Sequence, residues 1–133
     1  MRVMLDTNIF ISAALFPKGR AALQKALNPP YEPVVCDYVI DELHRKFHEK
    51  FPDKITELDA FLYIIQGNME VVPTPEEENP SEAKIRDAKD RPILRAALNA
   101  HADLFLTGDK DFLESSVVDP RIIGVADFLD NME

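Results

Sequence analysis

The sequence is short of cysteine, of positive charge and of long apolar runs. The single Cys36 excludes an intramolecular disulfide framework, and its place in Pro33-Val-Val-Cys36 reads as a buried, unreactive thiol. No apolar stretch approaches the ~20 residues of a membrane span. Asp6 interrupts the basic-then-apolar layout of a signal peptide, so a cytoplasmic location is the expectation. The 15 Lys and Arg stand against 24 Asp and Glu, a formal net charge of −9. Generic nucleic-acid binders are basic, which argues against holding nucleic acid by charge alone. It does not exclude a nuclease whose divalent cations reverse the local field. Most of the acidic surplus reads as solubility. No internal repeat is visible.

What is present suits one compact domain over residues 1–133. The chain is 46% hydrophobic, long enough to bury roughly two thirds of its unfolded surface. Residues 2–5 read as a strand and 9–15 as a helical segment. Phe16-Pro17-Lys18-Gly19 reads as a break, 20–27 as a second helical piece and 33–36 as a strand. Asp37 is a plausible N-cap for a helix whose apolar stripe is Val39, Ile40, Leu43 and Phe47. Ile55, Leu58, Phe61, Leu62 and Ile65 give a further amphipathic helix, followed by a short strand at 69–72. Residues 73–82 hold three prolines and four glutamates, which reads as the least ordered loop of the chain. A helix over 91–101 tolerates Pro92 in its first turn. Strands follow at 103–106, 117–118 and 121–125, and a closing helix at 127–132. Strands separated by helices predict an α/β fold with a parallel sheet and helices on both faces.

The first ten residues organise the rest. Val3-Met-Leu5 runs directly into Asp6-Thr-Asn8. In open α/β sheets, ligands bind beyond the carboxyl ends of the strands. Asp6 at such an end is either a ligand-binding acid or a simple helix cap. Three later acids share its logic. Glu42 lies at the edge of a buried helical stripe, Asp90 at the mouth of the Ala-rich helix, and Asp109 just after the strand at 103–106. In a parallel sheet all four open on one rim. Clustered carboxylates raise each other's pKa, and hard divalent cations relieve the repulsion. Two such ions can clamp the attacking and leaving oxygens of a phosphoryl displacement. One cysteine and three scattered histidines, His44, His48 and His101, supply no zinc site; the histidines read as surface or half-buried groups.

These motifs resemble the PIN domain. They are Asp6-Thr-Asn8 after the first strand, Glu42 in Val39-Ile-Asp-Glu-Leu43, Asp90-x-x-Ile93-x-x-Ala96, and Leu106-Thr-Gly-Asp109-Lys-Asp-Phe112. The tail Arg121-Ile-Ile-Gly-Val-Ala-Asp-Phe-Leu129 is similar to that of PIN proteins described as toxin components, the VapC-like ribonucleases. Many of those carry Thr-Pro where this chain has Gly124-Val125. The resemblance implies a three-layer α/β/α sandwich and Mg²⁺- or Mn²⁺-dependent cleavage of single-stranded RNA. It makes Asp6, Glu42, Asp90 and Asp109 the metal-binding acids and adds Asp111 as a fifth candidate. Asp41 and Asp87 neighbour the motif acids without belonging to the set. Asn8 and Thr107 are candidates to orient the acids or hold water. Lys84, Arg86, Lys89, Arg91, Arg95 and Lys110 are candidates to grip the substrate, or else a solvated face. A cognate antitoxin and a homodimer are the implied partners.

Two rival readings stand beside the nuclease. A catalytically silent PIN-like module would bind RNA or protein without cutting. A phosphatase or phospho-receiver also uses acidic strand ends, but the haloacid-dehalogenase type needs a second Asp where this chain has Asn8.

Overall fold

A computed structural model describes residues 1–132 of the chain. Five parallel strands form one sheet in the order β3-β2-β1-β4-β5. They are β1 (Arg2–Leu5), β2 (Glu32–Cys36), β3 (Glu70–Val72), β4 (Leu104–Leu106) and β5 (Arg121–Ile123). The central strands β1 and β4 are apolar and buried along Val3–Leu5 and Leu104–Leu106, as strands covered on both faces must be. The edge strands expose Glu70, Val71 and Arg121.

Helices α1 (Thr7–Leu15), α2 (Pro17–Ala26), α3 (Asp37–Lys50), α4 (Ile55–Asn68), α5 (Arg91–Asn99), α6 (Lys110–Leu113) and α7 (Val125–Asn131) complete a three-layer α/β/α sandwich. Val39, Leu43 and Phe47 of α3 are buried, as are Leu58, Leu62 and Ile65 of α4. Gly19 lets α1 and α2 touch: a Cβ there would lie 2.5 Å from the Ser12 carbonyl carbon. Lys25 ties α2 to α7, donating to the Phe128 and Met132 carbonyls and lying 4.9 Å over the Phe128 ring. No helix among the described residues is long and apolar enough to cross a membrane.

Four local expectations change. The break over 16–19 shrinks to Phe16, because Pro17 starts α2 in the first-turn position that suits its fixed φ. Asp37 does not cap α3. It is the first helical residue, and its carboxylate accepts from the Thr74 N–H and hydroxyl at 3.0 and 2.6 Å. Residues 117–118 are not a strand, since β1 and β5 already occupy both edges of β4. The acidic loop is tied down rather than loose. Pro80–Lys84 form a 3-10 turn, Asn79 and Glu82 close a capping box, and the buried Glu82 takes two bonds from Arg95 at 2.8 and 2.9 Å.

The sheet order sets the site. From β1 the chain builds outward through β2 to β3, then returns to place β4 on the other side of β1. Where strand order reverses, successive connections leave in opposite directions and open a crevice at the carboxyl ends. Asp6 and Thr107 stand at that crevice, directly after β1 and β4.

Candidate functional site

Asp6 extends the β1–β4 ladder, its N–H donating to the Leu106 carbonyl at 3.1 Å. Its side chain, 3% exposed, accepts from the Thr7 N–H at 2.7 Å and the Thr107 hydroxyl at 2.6 Å. The carboxylate therefore caps α1 at the crevice, as the helix-cap reading expects. Thr107 also accepts from the Asp109 N–H at 2.9 Å. One buried hydroxyl thus fixes Asp6 and Asp109 relative to each other. Asp109 then caps α6, accepting from the Asp111 N–H at 2.9 Å.

Asp90 precedes α5 in a tight turn. Its N–H donates to the Asp87 carbonyl, and the Asp87 carboxylate accepts from the Lys89 N–H, each at 3.0 Å. Glu42 sits half-buried on α3. Several of these acids repel one another. Burial raises Asp6 from 3.8 to about 6, opposed by the bonds from Thr107 and Thr7 and reinforced by Asp109 and Glu42. Asp90 is pushed up to about 7 by burial first, then by Asp109, Asp6 and Asp87. Asp109 thus acts on both Asp6 and Asp90, whereas Glu42 acts on Asp6.

The structure adds an acid that the motifs pass over. Asp87, Asp90 and Asp111 each offer an oxygen within 4.8 Å of the others. Ligands of one hard cation stand no farther apart than about twice its 2.0–2.6 Å bond, so this trio fits such an ion. The donors are all carboxylate oxygens, which suit Mg²⁺, Mn²⁺ or Ca²⁺ rather than zinc. The buried Thr7 hydroxyl, next in sequence to Asp6, has no hydrogen-bond partner among the described residues. The signal for Asp87 was its i, i+3 spacing to Asp90 across a turn. Asp111 has a competing claim: Arg86 donates to it at 2.7 Å and to Glu114 at 3.3 Å. Asn8 is half-buried in the first turn of α1, and Asp41 is exposed.

The candidate cations divide. Lys84, Lys89 and Lys110 are exposed. Arg86 is held by Asp111 and Glu114, and Arg91 donates to the Ile85 carbonyl at 2.9 Å. Arg95 departs from its expected role on a substrate-facing surface. Its guanidinium grips Glu82 and donates to the Pro75 carbonyl at 2.9 Å, and its side chain is 14% exposed. It holds the acidic loop to α5. Cys36 is fully buried, and burial raises its thiol to about 11, as expected of an inert residue. His48 and His101 are exposed and His44 half-buried, 3.8 Å from Asp59. A separate apolar hollow of about 210 Å³ lies between α1, α3 and α4, lined by Phe10, Leu43, Phe47 and Phe61 among others. None of the clustered acids lines it.

The family model for the PIN domain matches residues 2–111. No curated protein matches. Solved structures similar in fold include VapBC2 from Rickettsia felis bound to a DNA fragment from its promoter. That match has TM-score 0.70 and 17% identity, covering 93% of this chain and 98% of that one. VapBC-1 from nontypeable Haemophilus influenzae gives TM-score 0.62 at 19% identity, covering 95% and 99%. FitAcB from Neisseria gonorrhoeae gives 0.53 at 21%, covering 93% and 98%.

Proposed function

Since this chain belongs to the PIN domain family, we propose that it is a divalent-metal-dependent endoribonuclease acting on single-stranded RNA, the toxin of a toxin–antitoxin pair. What supports this reading is an acidic rim: the Thr107 hydroxyl joins Asp6 to Asp109 after β1 and β4, and Asp87, Asp90 and Asp111 offer oxygens within 4.8 Å of one another. In this reading Asp6, Glu42, Asp90 and Asp109 hold Mg²⁺ or Mn²⁺, with Asp87 and Asp111 beside them. The bound ion supplies Lewis-acid charge for in-line displacement at phosphorus. Asp6 is held in one orientation by Thr7 and Thr107, so little reorganisation is needed when charge develops. Lys84, Lys89 and Lys110, exposed on the segments that carry Asp90 and Asp109, meet the phosphates of the strand. A cognate antitoxin silences the enzyme, and two copies of the chain form a homodimer.

The test is cleavage of a labelled single-stranded RNA in Mn²⁺. Asp90→Asn abolishes cleavage while keeping the parent's circular dichroism spectrum, and chelator stops the parent. A parent that cuts equally well in chelator would falsify the metal requirement. The silent interaction module draws support from the apolar hollow and from Leu15 and Phe16, 47% and 59% exposed. Calorimetric titration separates the two, because a module of that kind binds no Mn²⁺ at millimolar concentration.

A further inference from the structure

Locally, the turn that carries Asp90 is held by two hydrogen bonds to Asp87, from the Asp90 N–H to its carbonyl and from the Lys89 N–H to its carboxylate. Residues 86–89 are exposed, Ile85 is buried, and the helix begins at Arg91. Its acids sit among like charges, with oxygens of Asp87, Asp90 and Asp111 within 4.8 Å of one another. Coulomb repulsion among them drives the turn outward. Arg91 and Arg86 tie down its near end through the Ile85 carbonyl and through Asp111 and Glu114. The far end is tied to α3. Tyr38, in the first turn of α3, donates its phenolic hydrogen to the Lys89 carbonyl at 2.5 Å, a contact spanning 51 residues of sequence.

The position of that bond matters more than its strength. Lys89 immediately precedes Asp90, so the accepting carbonyl belongs to the peptide plane that aims the Asp90 side chain. Tyr38 stands four residues before Glu42, on the same face of α3. Arg45 lies over the phenol, 5.7 Å from the ring centroid. The phenolic hydrogen is used on a carbonyl, so Tyr38 serves as a strap. A carboxylate moved by about 1 Å leaves the 2.0–2.6 Å range in which it can ligate a hard cation.

We propose that Tyr38 is a positioning residue whose hydroxyl, bonded to the Lys89 carbonyl, sets the separation of Glu42 and Asp90 and so readies that pair for a divalent cation. This rests on the metal-dependent reading above. The test is Mn²⁺ titration of the intact protein by calorimetry, parent against Tyr38→Phe, with melting temperatures of both in chelator. A Tyr38→Phe protein that melts with the parent in chelator yet binds Mn²⁺ three- to tenfold more weakly bears the inference out. RNA cleavage by that variant then recovers towards the parent's rate as Mn²⁺ is raised. Equal affinity overturns the inference and leaves the nuclease reading standing. A weakened affinity that appears only with a lowered metal-free melting temperature overturns it too. A parent that binds no Mn²⁺ overturns the metal-dependent reading and the strap's role with it.

Discussion

Replacing Asp6 by asparagine removes a charge that the folded protein holds at a disadvantage. The carboxyl is buried and titrates near 6 in place of 3.8. At about 1.4 kcal/mol per pH unit, its ionised form costs the metal-free fold on the order of 3 kcal/mol at neutral pH. Asparagine keeps the shape and can still accept from the Thr7 N–H. Its amide nitrogen cannot accept from the Thr107 hydroxyl as the carboxylate does; losing that bond costs about 1 kcal/mol. The net expectation is a gain of about 2 kcal/mol, or roughly 6–10 °C in melting temperature for a chain of this size. The pH dependence gives the sign. A carboxyl with a raised folded pKa contributes stability that is full below 3.8 and lost as pH rises through about 6. The variant's advantage is therefore largest above pH 7 and fades towards pH 4. The assay is thermal unfolding by circular dichroism, in chelator, at pH 4 and 7.5, then with Mn²⁺. Added metal raises the parent's melting temperature and leaves the variant's nearly unmoved. A variant less stable than the parent at pH 7.5, or an advantage equal at both pH values, would refute the reasoning.

Three further outcomes are expected. Gly19→Ala forces a methyl into the Ser12 backbone and lowers stability by about 1–3 kcal/mol, measured by urea unfolding; no change would mean that α1 and α2 can part freely. Arg95→Met strands the buried Glu82 carboxylate and costs about 3–5 kcal/mol. Limited proteolysis then cuts within 73–79 faster than in the parent, and an unchanged digestion rate would contradict the pinning. His101→Gly relieves a left-handed residue, φ 57°, at the end of α5. The steric relief of about 1–2 kcal/mol, less glycine's entropy of about 0.5–1 kcal/mol, leaves a gain of about 0–1.5 kcal/mol by the same unfolding assay.

The parts of the fold that were legible in sequence are those encoded locally. Val3-Met-Leu5 and Leu104-Phe-Leu106 announce buried strands because each is apolar throughout and stops at a polar residue. Asp6, Asp90 and Asp109 could be placed because each lies at a strand end or a helix mouth, and parallel strands share one rim. What stayed hidden depends on partners far away in the chain. Arg95 looks like any exposed helical cation until Glu82 folds beneath it. The pattern Asn79-x-x-Glu82 is a capping-box signal that could have marked the turn, though not the arginine that joins it. Arg86 meets Asp111 across 25 residues and Tyr38 meets Lys89 across 51. No local periodicity reports such contacts. The Asp37 carboxylate serves Thr74 instead of its own helix for the same reason.

The innermost strand is also the one that waits longest for company. Met4 pairs with Val34 on one side and with Phe105, 101 positions later, on the other. Until the ribosome has delivered that distant segment, a ribbon greasy from Val3 to Leu5 carries an open row of amide and carbonyl groups. Such an edge recruits other chains as readily as its own. Nascent or C-terminally clipped forms that stop short of β4 are thus expected to clump rather than persist as small folded pieces, which a sedimentation assay of a 1–100 fragment would reveal.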